Sequence, residues 1–504
     1  MTSNPTGDPT VAAASFAEAL EILAAHPPAP TERPVPLAYA GPPSPHASSW
    51  PEPSGGRGAI KPATGPLAAA LAGQRAGVTT SVELVEACLA AIEAHDEELL
   101  AVVELGAASA LEAAAEADAD RAAGRWRGLL HGIPVTVKDV IDVAGFTTCA
   151  GSVAYKRSAE RDAASVARLR RAGAVIVGKV STHEFALGVT NPQSRNPYDP
   201  TRIPGGSSGG SAISVATGMA LASLGTDTRA SIRVPAALSG VVGVKATHGA
   251  VPIGGIVSLS WTMDHVAPMA ATVGDAAIVL GVLLGDRTRL GTVAATGFRV
   301  GVPAVGLAGA EPGVADAVRT ALRALADRSA ADVTMLESPS AADLDVAGAA
   351  GMVVSRCEAA ALHRSLGLDR FLYWDEVAEQ LEAAERVTAV DYLDAQRVRG
   401  QLAERLVGCF QHADVLAMPT TLTVAPRLDD YERHLMTLAR NAIPWSLVGF
   451  PAMSVPIGLI DGLPVGLQLV APPHREHMLL AAGLALEDAV GVRPWTSGAS
   501  RTAT

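Results

Sequence analysis

Cysteine and lysine are scarce in this 504-residue chain, and each scarcity narrows what the protein can be. The four cysteines, Cys88, Cys149, Cys357 and Cys409, stand far apart with no CxxC pair, so neither a zinc site nor a disulfide scaffold is indicated and buried free thiols are expected. The five lysines fall at positions 61, 138, 156, 179 and 245, and arginine carries the remaining positive charge. MTSNPTGDPT lacks a basic leader followed by an apolar run, and no uncharged stretch approaches the length of a membrane span. No serine precedes a lysine by three residues, which removes the S-x-x-K layout, and HEFAL and HREH lack the full spacing of a zincin. A net charge of -12 argues against a surface that coats nucleic acid. The expectation is a cytoplasmic protein with no metal, no cofactor, no membrane attachment and no direct nucleic-acid partner.

Hydrophobic residues make up 49% of the chain, ample for a large core. Residues 1 to about 65 hold 13 of the 34 prolines, including PPAPTERPVP and GPPSP, and read as an extended arm. Within it, Val11 to His26 suits one helix with Phe16, Leu20 and Leu23 on a single face, which must dock on the body or on a partner. From Gly77 the pattern is regular. Thr80 to Glu83 is a capping box, and Val85, Leu89 and Ile92 share a helical face. IPVTVKD alternates as a strand, with Val135, Val137 and Asp139 on one face and Thr136 and Lys138 on the other. VARLRRAGAVIVGKV reads as helix then strand, the unit of an α/β architecture. Residues Asp343 to Phe410 have helical composition, and three later runs, ADVLAMPT, PAMSVPIG and LPVGLQLVAP, return to strand before a last helix near His477 to Ala489. The domain reading is an arm over 1–65, a catalytic body over 66–492 and a tail over 493–504.

The stretch from Pro204 to Lys245 organises the rest. Gly205 to Gly210 forms a tight glycine–serine turn, PGGSSGG, leading into the apolar helix SAISVATGMA. A short apolar strand, Leu221 to Asp227, follows and ends in a second turn, Thr228-Arg229-Ala230-Ser231. About ten residues of helix travel roughly 15 Å, and five to six of strand return a similar distance, so Ser207 and Ser231 are expected to end as neighbours. Gly205 to Gly209 also fits G-x-S-x-G, the nucleophile elbow, but that turn needs a strand before it and NPYDPTRIP is not one.

GGSSGGSA followed by DTRASIRVPAALSGVVGVK, with GIPVTVKD upstream, resembles the amidase signature family of amide-bond hydrolases over about Gly77 to Val492. The resemblance implies a mixed central β-sheet flanked by helices on both sides. It also implies Ser231 as nucleophile, Ser207 as a bridging serine reached through a cis peptide, and Lys138 as base. A lysine acting as base must be neutral. Lowering its pKa by about three units costs roughly 4 kcal/mol, which burial can supply, and Asp139 must point away from it. Lys179, at the end of the next strand, is the decoy.

The oxyanion is assigned to backbone N–H groups of Thr228, Arg229, Ala230 and Ser231. Asp227, Arg233 and Ser208 are expected to support the turn, and His183 and Asn191 to contact substrate from the loop HEFALGVTNPQSRNPYDPTRIP. Three departures stand out. Arg229 and Ala230 replace the family's usual glycine pair, Ala246 stands where proline is common, and Ser446 stands where asparagine is common. A positive φ at either of the first two positions is strained by a side chain, and Arg229 either faces a substrate carboxylate or turns to an acidic neighbour. The partner expected is a small-molecule amide, with a homodimer left open. The alternatives are a glutamine-hydrolysing A-type subunit of a tRNA-dependent amidotransferase and an inactive relative with a binding or scaffold role.

Overall fold

Eleven strands are ordered into one mixed sheet in the computed structural model, which describes residues 9–28, 65–285 and 297–491. In chain order they are β1 (Val102–Leu105), β2 (Pro134–Lys138), β3 (Val175–Val180), β4 (Ala222–Asp227), β5 (Val242–Lys245), β6 (His265–Ala270), β7 (Arg299–Pro303), β8 (Asp332–Leu336), β9 (Val415–Pro419), β10 (Ala452–Ile460) and β11 (Leu463–Val470). Their order across the sheet is β1-β3-β2-β4-β6-β5-β10-β11-β9-β7-β8. β2 runs parallel to both β3 and β4, and β4 antiparallel to β6. The expected strands are all present, as is the capping box, in which Thr80 and Glu83 each accept the other's backbone N–H.

Alternation along the strands sends consecutive residues into different cores. Val135, Val137 and Val266 join the main hydrophobic cluster with Val273 and Leu280 of the helix Val273–Leu284. Ala267 and Met269 join a separate one with Ala212, Val215 and Ala216. β2 is therefore buried along its whole length, as expected of a parallel strand in the sheet interior. That leaves the Thr136 and Lys138 side chains in a dry layer between the sheet and the serine-rich turn.

Six helices matter for the site. α1 (Pro9–Ala25) matches the expected amphipathic segment and buries Phe16, Ala19 and Leu23. α2 (Gly209–Ala216) and α3 (Arg233–Leu238) follow the two serine turns. The helical stretch resolves into α4 (Ala341–Leu366), α5 (Asp375–Glu385) and α6 (Ala389–Gly408), all three in contact with α1. The apolar face of the N-terminal helix thus docks on the body. The proline-rich stretch between 29 and 64 and the tail over 493–504 lie outside the described residues. Among the described residues no helix is long and apolar enough to cross a membrane.

Candidate active site

A helix of eight residues, shorter than the roughly ten expected, and a strand of six bring the two serine turns together: Ser208 N donates to Ser231 O at 3.2 Å. Gly205 has φ 79°, and a Cβ on Gly206 would lie 1.8 Å from Thr190 O, so this turn has no room for a side chain at either place. The Gly206–Ser207 peptide is cis. Ser208 supports the arrangement from behind, its Oγ donating to Thr226 O at 3.1 Å.

Lys138 ends β2 with no solvent exposure. Its Nζ donates to Ser207 Oγ at 2.7 Å and to Thr226 Oγ1 at 2.8 Å. Burial lowers the ammonium to about 7, against the opposing pull of Asp227 and Asp264, so the neutral amine is accessible near neutral pH. Asp139 lies on the other face as the alternation requires. It pairs with Lys179 Nζ at 3.0 Å and accepts from Cys149 N at 3.2 Å. Lys179 also donates to Thr147 O and Thr148 Oγ1, which accounts for the decoy.

The second turn hangs on Asp227. Its carboxylate accepts from Ala230 N at 3.0 Å, Ile232 N at 3.3 Å, Arg233 Nε at 3.0 Å and Ser446 Oγ at 2.9 Å. Burial pushes Asp227 up, but Arg233 outweighs it and holds the carboxyl well below its usual range. Arg233 continues to Ala442 O and Gln468 Oε1, tying the turn to the far half of the chain. Ser446, at the position where the family commonly has asparagine, thus still bonds the turn. Thr228 Oγ1 is held by Asp264 Oδ1 at 2.6 Å. Between these anchors Ala230 adopts φ 83°, the strained conformation anticipated for a non-glycine residue, at a cost of about 1–3 kcal/mol. One expectation is corrected here. The Ala230 N–H, expected among the oxyanion donors, is already taken by the Asp227 carboxylate.

Ser231 opens onto a cavity of about 450 Å³ that is also lined by Arg229, His183, Arg356, Glu376 and Ile22. His183 reaches this wall, but its Nε2 is hydrogen-bonded to Glu376 Oε1 at 2.6 Å. Asn191 does not line the cavity. Its Nδ2 donates to Ser181 Oγ at 2.9 Å and Ser194 Oγ at 3.0 Å, and its Cβ sits so close to Gly209 that a side chain there would collide with it. The expected substrate contact is in fact a brace behind the serine turn. Among the described residues no carboxylate pairs with Arg229: its Nη1 meets Met352 Sδ at 3.1 Å, and its buried Nε has no partner there. Among the described residues no group of three or more His, Cys, Asp or Glu side chains is placed to hold a metal.

Thr226, Asp264 and Arg356 belong to the site and escaped the sequence reading. Thr226 lies near the end of β4, which pairs with β2, a neighbour relation that spacing alone does not disclose. Arg356 had a visible signal, a lone arginine in the apolar run GAAGMVVSRCEAAALH.

Comparison with known proteins follows the same outline. A family model described as Amidase matches residues 83–480. The A-type subunit of the glutamyl-tRNA(Gln) amidotransferase of Chloroflexus aurantiacus is 38% identical over 463 residues, covering 83% of this chain and 95% of that one. A Pseudomonas putida protein named amidase is also 38% identical, over 82% of this chain and 94% of its own. Among solved structures, an amidase superposes with TM-score 0.78 at 34% identity over 84% of this chain and all of its own. The native peptide amidase of Stenotrophomonas maltophilia gives TM-score 0.73 at 30% identity over 84% and 97%.

Proposed function

This chain belongs to the amidase signature family, hydrolases that act on carbon–nitrogen bonds, and on that premise we propose that it cleaves a small-molecule carboxylic amide through an acyl-enzyme on Ser231. Ser231 Oγ attacks the carbonyl carbon. Its proton passes to Ser207 Oγ, whose own proton passes to the neutral Nζ of Lys138. The tetrahedral oxyanion is taken by the backbone N–H groups of Thr228, Arg229 and Ser231, donors fixed before the reaction by Asp227 and Asp264. Collapse breaks the carbon–nitrogen bond, and the relay returns the proton to the leaving amine. Water, deprotonated by the same relay, then attacks the acyl-enzyme and releases the carboxylic acid.

The observation that carries this reading is the 2.7 Å contact from Lys138 to Ser207, made by a buried lysine with no carboxylate bonded to it. Ordinary buried lysines are paired. The test is intact-protein mass after treatment with a neutral fluorophosphonate, run on wild type, Ser231→Ala, Ser207→Ala and Lys138→Ala. One adduct on wild type, none on Ser231→Ala and slow labelling of the other two is expected. Equal labelling of wild type and Lys138→Ala would remove the relay, and a folded wild type that takes no label would return the reading to the inactive relative.

A second reading, glutamine hydrolysis as one component of an amidotransferase complex, is favoured by the identity to the Chloroflexus protein. Ammonia released from glutamine, measured on the labelling-competent chain alone and beside a panel of simple amides, separates the two. Preferential release from glutamine selects the amidotransferase reading.

A further inference from the structure

Two guanidinium groups line the cavity beside the nucleophile, and neither is paired with an acid. Arg229 stands two residues before Ser231, and Arg356 lies one turn beyond Met352 on α4, so the side chain on which Arg229 rests and Arg356 share one helical face. Arg356 donates only to neutral acceptors: Gln380 Oε1 at 2.6 Å, Leu187 O at 2.9 Å and Ser355 Oγ at 3.5 Å. Among the described residues neither arginine makes an ion pair within 4.0 Å. Glu376, the acid whose charge acts on Arg356, is occupied by His183. Three further acids line the cavity: Glu18 and Asp345 are exposed and Glu432 is half-buried.

Burial costs a lone cation several kcal/mol, and two cations facing one cavity add repulsion to that cost. The consequence is visible in both groups. Burial lowers the Arg229 guanidinium to about 10, and burial followed by the Arg229 charge pushes Arg356 well down. A thioether sulfur is a poor acceptor for one arm of Arg229, and its Nε has none. The cavity wall thus carries one guanidinium with an unpartnered Nε–H beside a second whose acceptors are all neutral, forked groups of the kind that match a carboxylate in a bidentate pair.

We propose that Arg229 and Arg356 form a carboxylate receptor, and that the substrate is an amide bearing a carboxylate in addition to the scissile bond. This rests on the hydrolase reading for the identity of the ligand as an amide, while the receptor itself is a statement about binding. The carboxylate belongs either to the acyl part or to the amine part, and the same two arginines serve both. A neutral amide entering the cavity leaves both guanidinium groups unpaired, so discrimination against it arises from the empty receptor as much as from the filled one.

The experiment is calorimetric titration of the full chain carrying Ser231→Ala with three ligands: glutaric monoanilide, N-butyryl-4-aminobenzoate and neutral butyranilide. The first carries its carboxylate on the acyl side and the second on the amine side. At least one acid is expected to bind about 100-fold more tightly than butyranilide, an advantage that weakens as salt is raised. Adding Arg356→Met or Arg229→Met should reduce that advantage at least tenfold, with Arg356→Lys recovering part of it; a melting curve on each variant identifies any that fails to fold, and Arg356→Lys then carries the comparison. Two acids that bind no better than butyranilide, or an advantage that survives both methionine variants, would overturn the receptor. Absence of fluorophosphonate labelling on wild type, by contrast, would fail the hydrolase reading and leave the titration to judge the receptor independently.

Discussion

Lys138 and Lys179 sit at the ends of neighbouring parallel strands, one residue out of register, both without solvent exposure. Val137 is opposite Lys179 and Lys138 is opposite Val180, so the two ammonium groups leave the sheet on opposite faces. On one face Lys179 meets Asp139 at 3.0 Å, a carbonyl and a hydroxyl, and is a structural cation. On the other, among the described residues, Lys138 meets only the hydroxyls of Ser207 and Thr226. Depth of burial is the same; the difference is one carboxylate. Lys138, left with hydroxyls alone, has its ammonium lowered by burial to about 7. The sequence VKD places that carboxylate next to the base in the chain, and the strand's period of two sends it to the other lysine.

Removing each lysine should break the comparison in opposite ways. Lys138→Met is expected to slow fluorophosphonate labelling and amide hydrolysis about 10³-fold without lowering the melting temperature, because no charge is left unpaired. A variant that keeps its rate would show that the base lies elsewhere. Lys179→Met should leave the rate constant of the folded enzyme near wild type and cost about 3–5 kcal/mol in urea unfolding, since Asp139 is stranded in the interior. Adding Asp139→Asn to it should recover most of the loss, and failure to do so would deny the pair its structural role.

A smaller effect sharpens the same point. The labelling rate should climb with pH through a half-point near 7, because Lys138 accepts a proton only when neutral and its folded-state pKa is depressed to about that value. Thr226→Asp gives Lys138 the carboxylate that Lys179 has, and should move the half-point upward by about one unit or more. An unmoved pH profile would mean that another group sets the limb. Smallest of all, Thr226→Val deletes one hydroxyl contact to the amine, worth about 1 kcal/mol, and should alter the rate only several-fold.

Patterns that depend on local chemistry were legible in the sequence. The glycine turn and the length of the helix and strand after it pointed to Ser207 beside Ser231, the alternation through Lys138 to Asp139 on the opposite face, and the family resemblance to Lys138 as their partner. Asp227 and Arg233 were recognisable as anchors because they flank the turn they hold. What escaped depends on strand order or on long-range contact. β6 reads as HVAPMA, buried on both faces and interrupted by Pro268, so it has no alternation to see. β1 is a four-residue, half-exposed edge strand that offers too short a pattern. Asn191 was read as a cavity residue from its place in the loop, whereas the small size of Gly209 draws it inward. Arg356 was lost in a helical region whose composition codes only for helix.

Glu18, Ala19 and Ile22 of α1 line the cavity on which Ser231 opens, although the family model begins only at residue 83. Part of the cavity wall and the serine turns are therefore written in separate stretches of the gene. Changes in the first helix can reshape that wall while the residues around Ser231, far along the chain, are inherited intact. For an engineer, that makes the leading helix a place to diversify substrate range, and a poor place to attach an unexamined fusion.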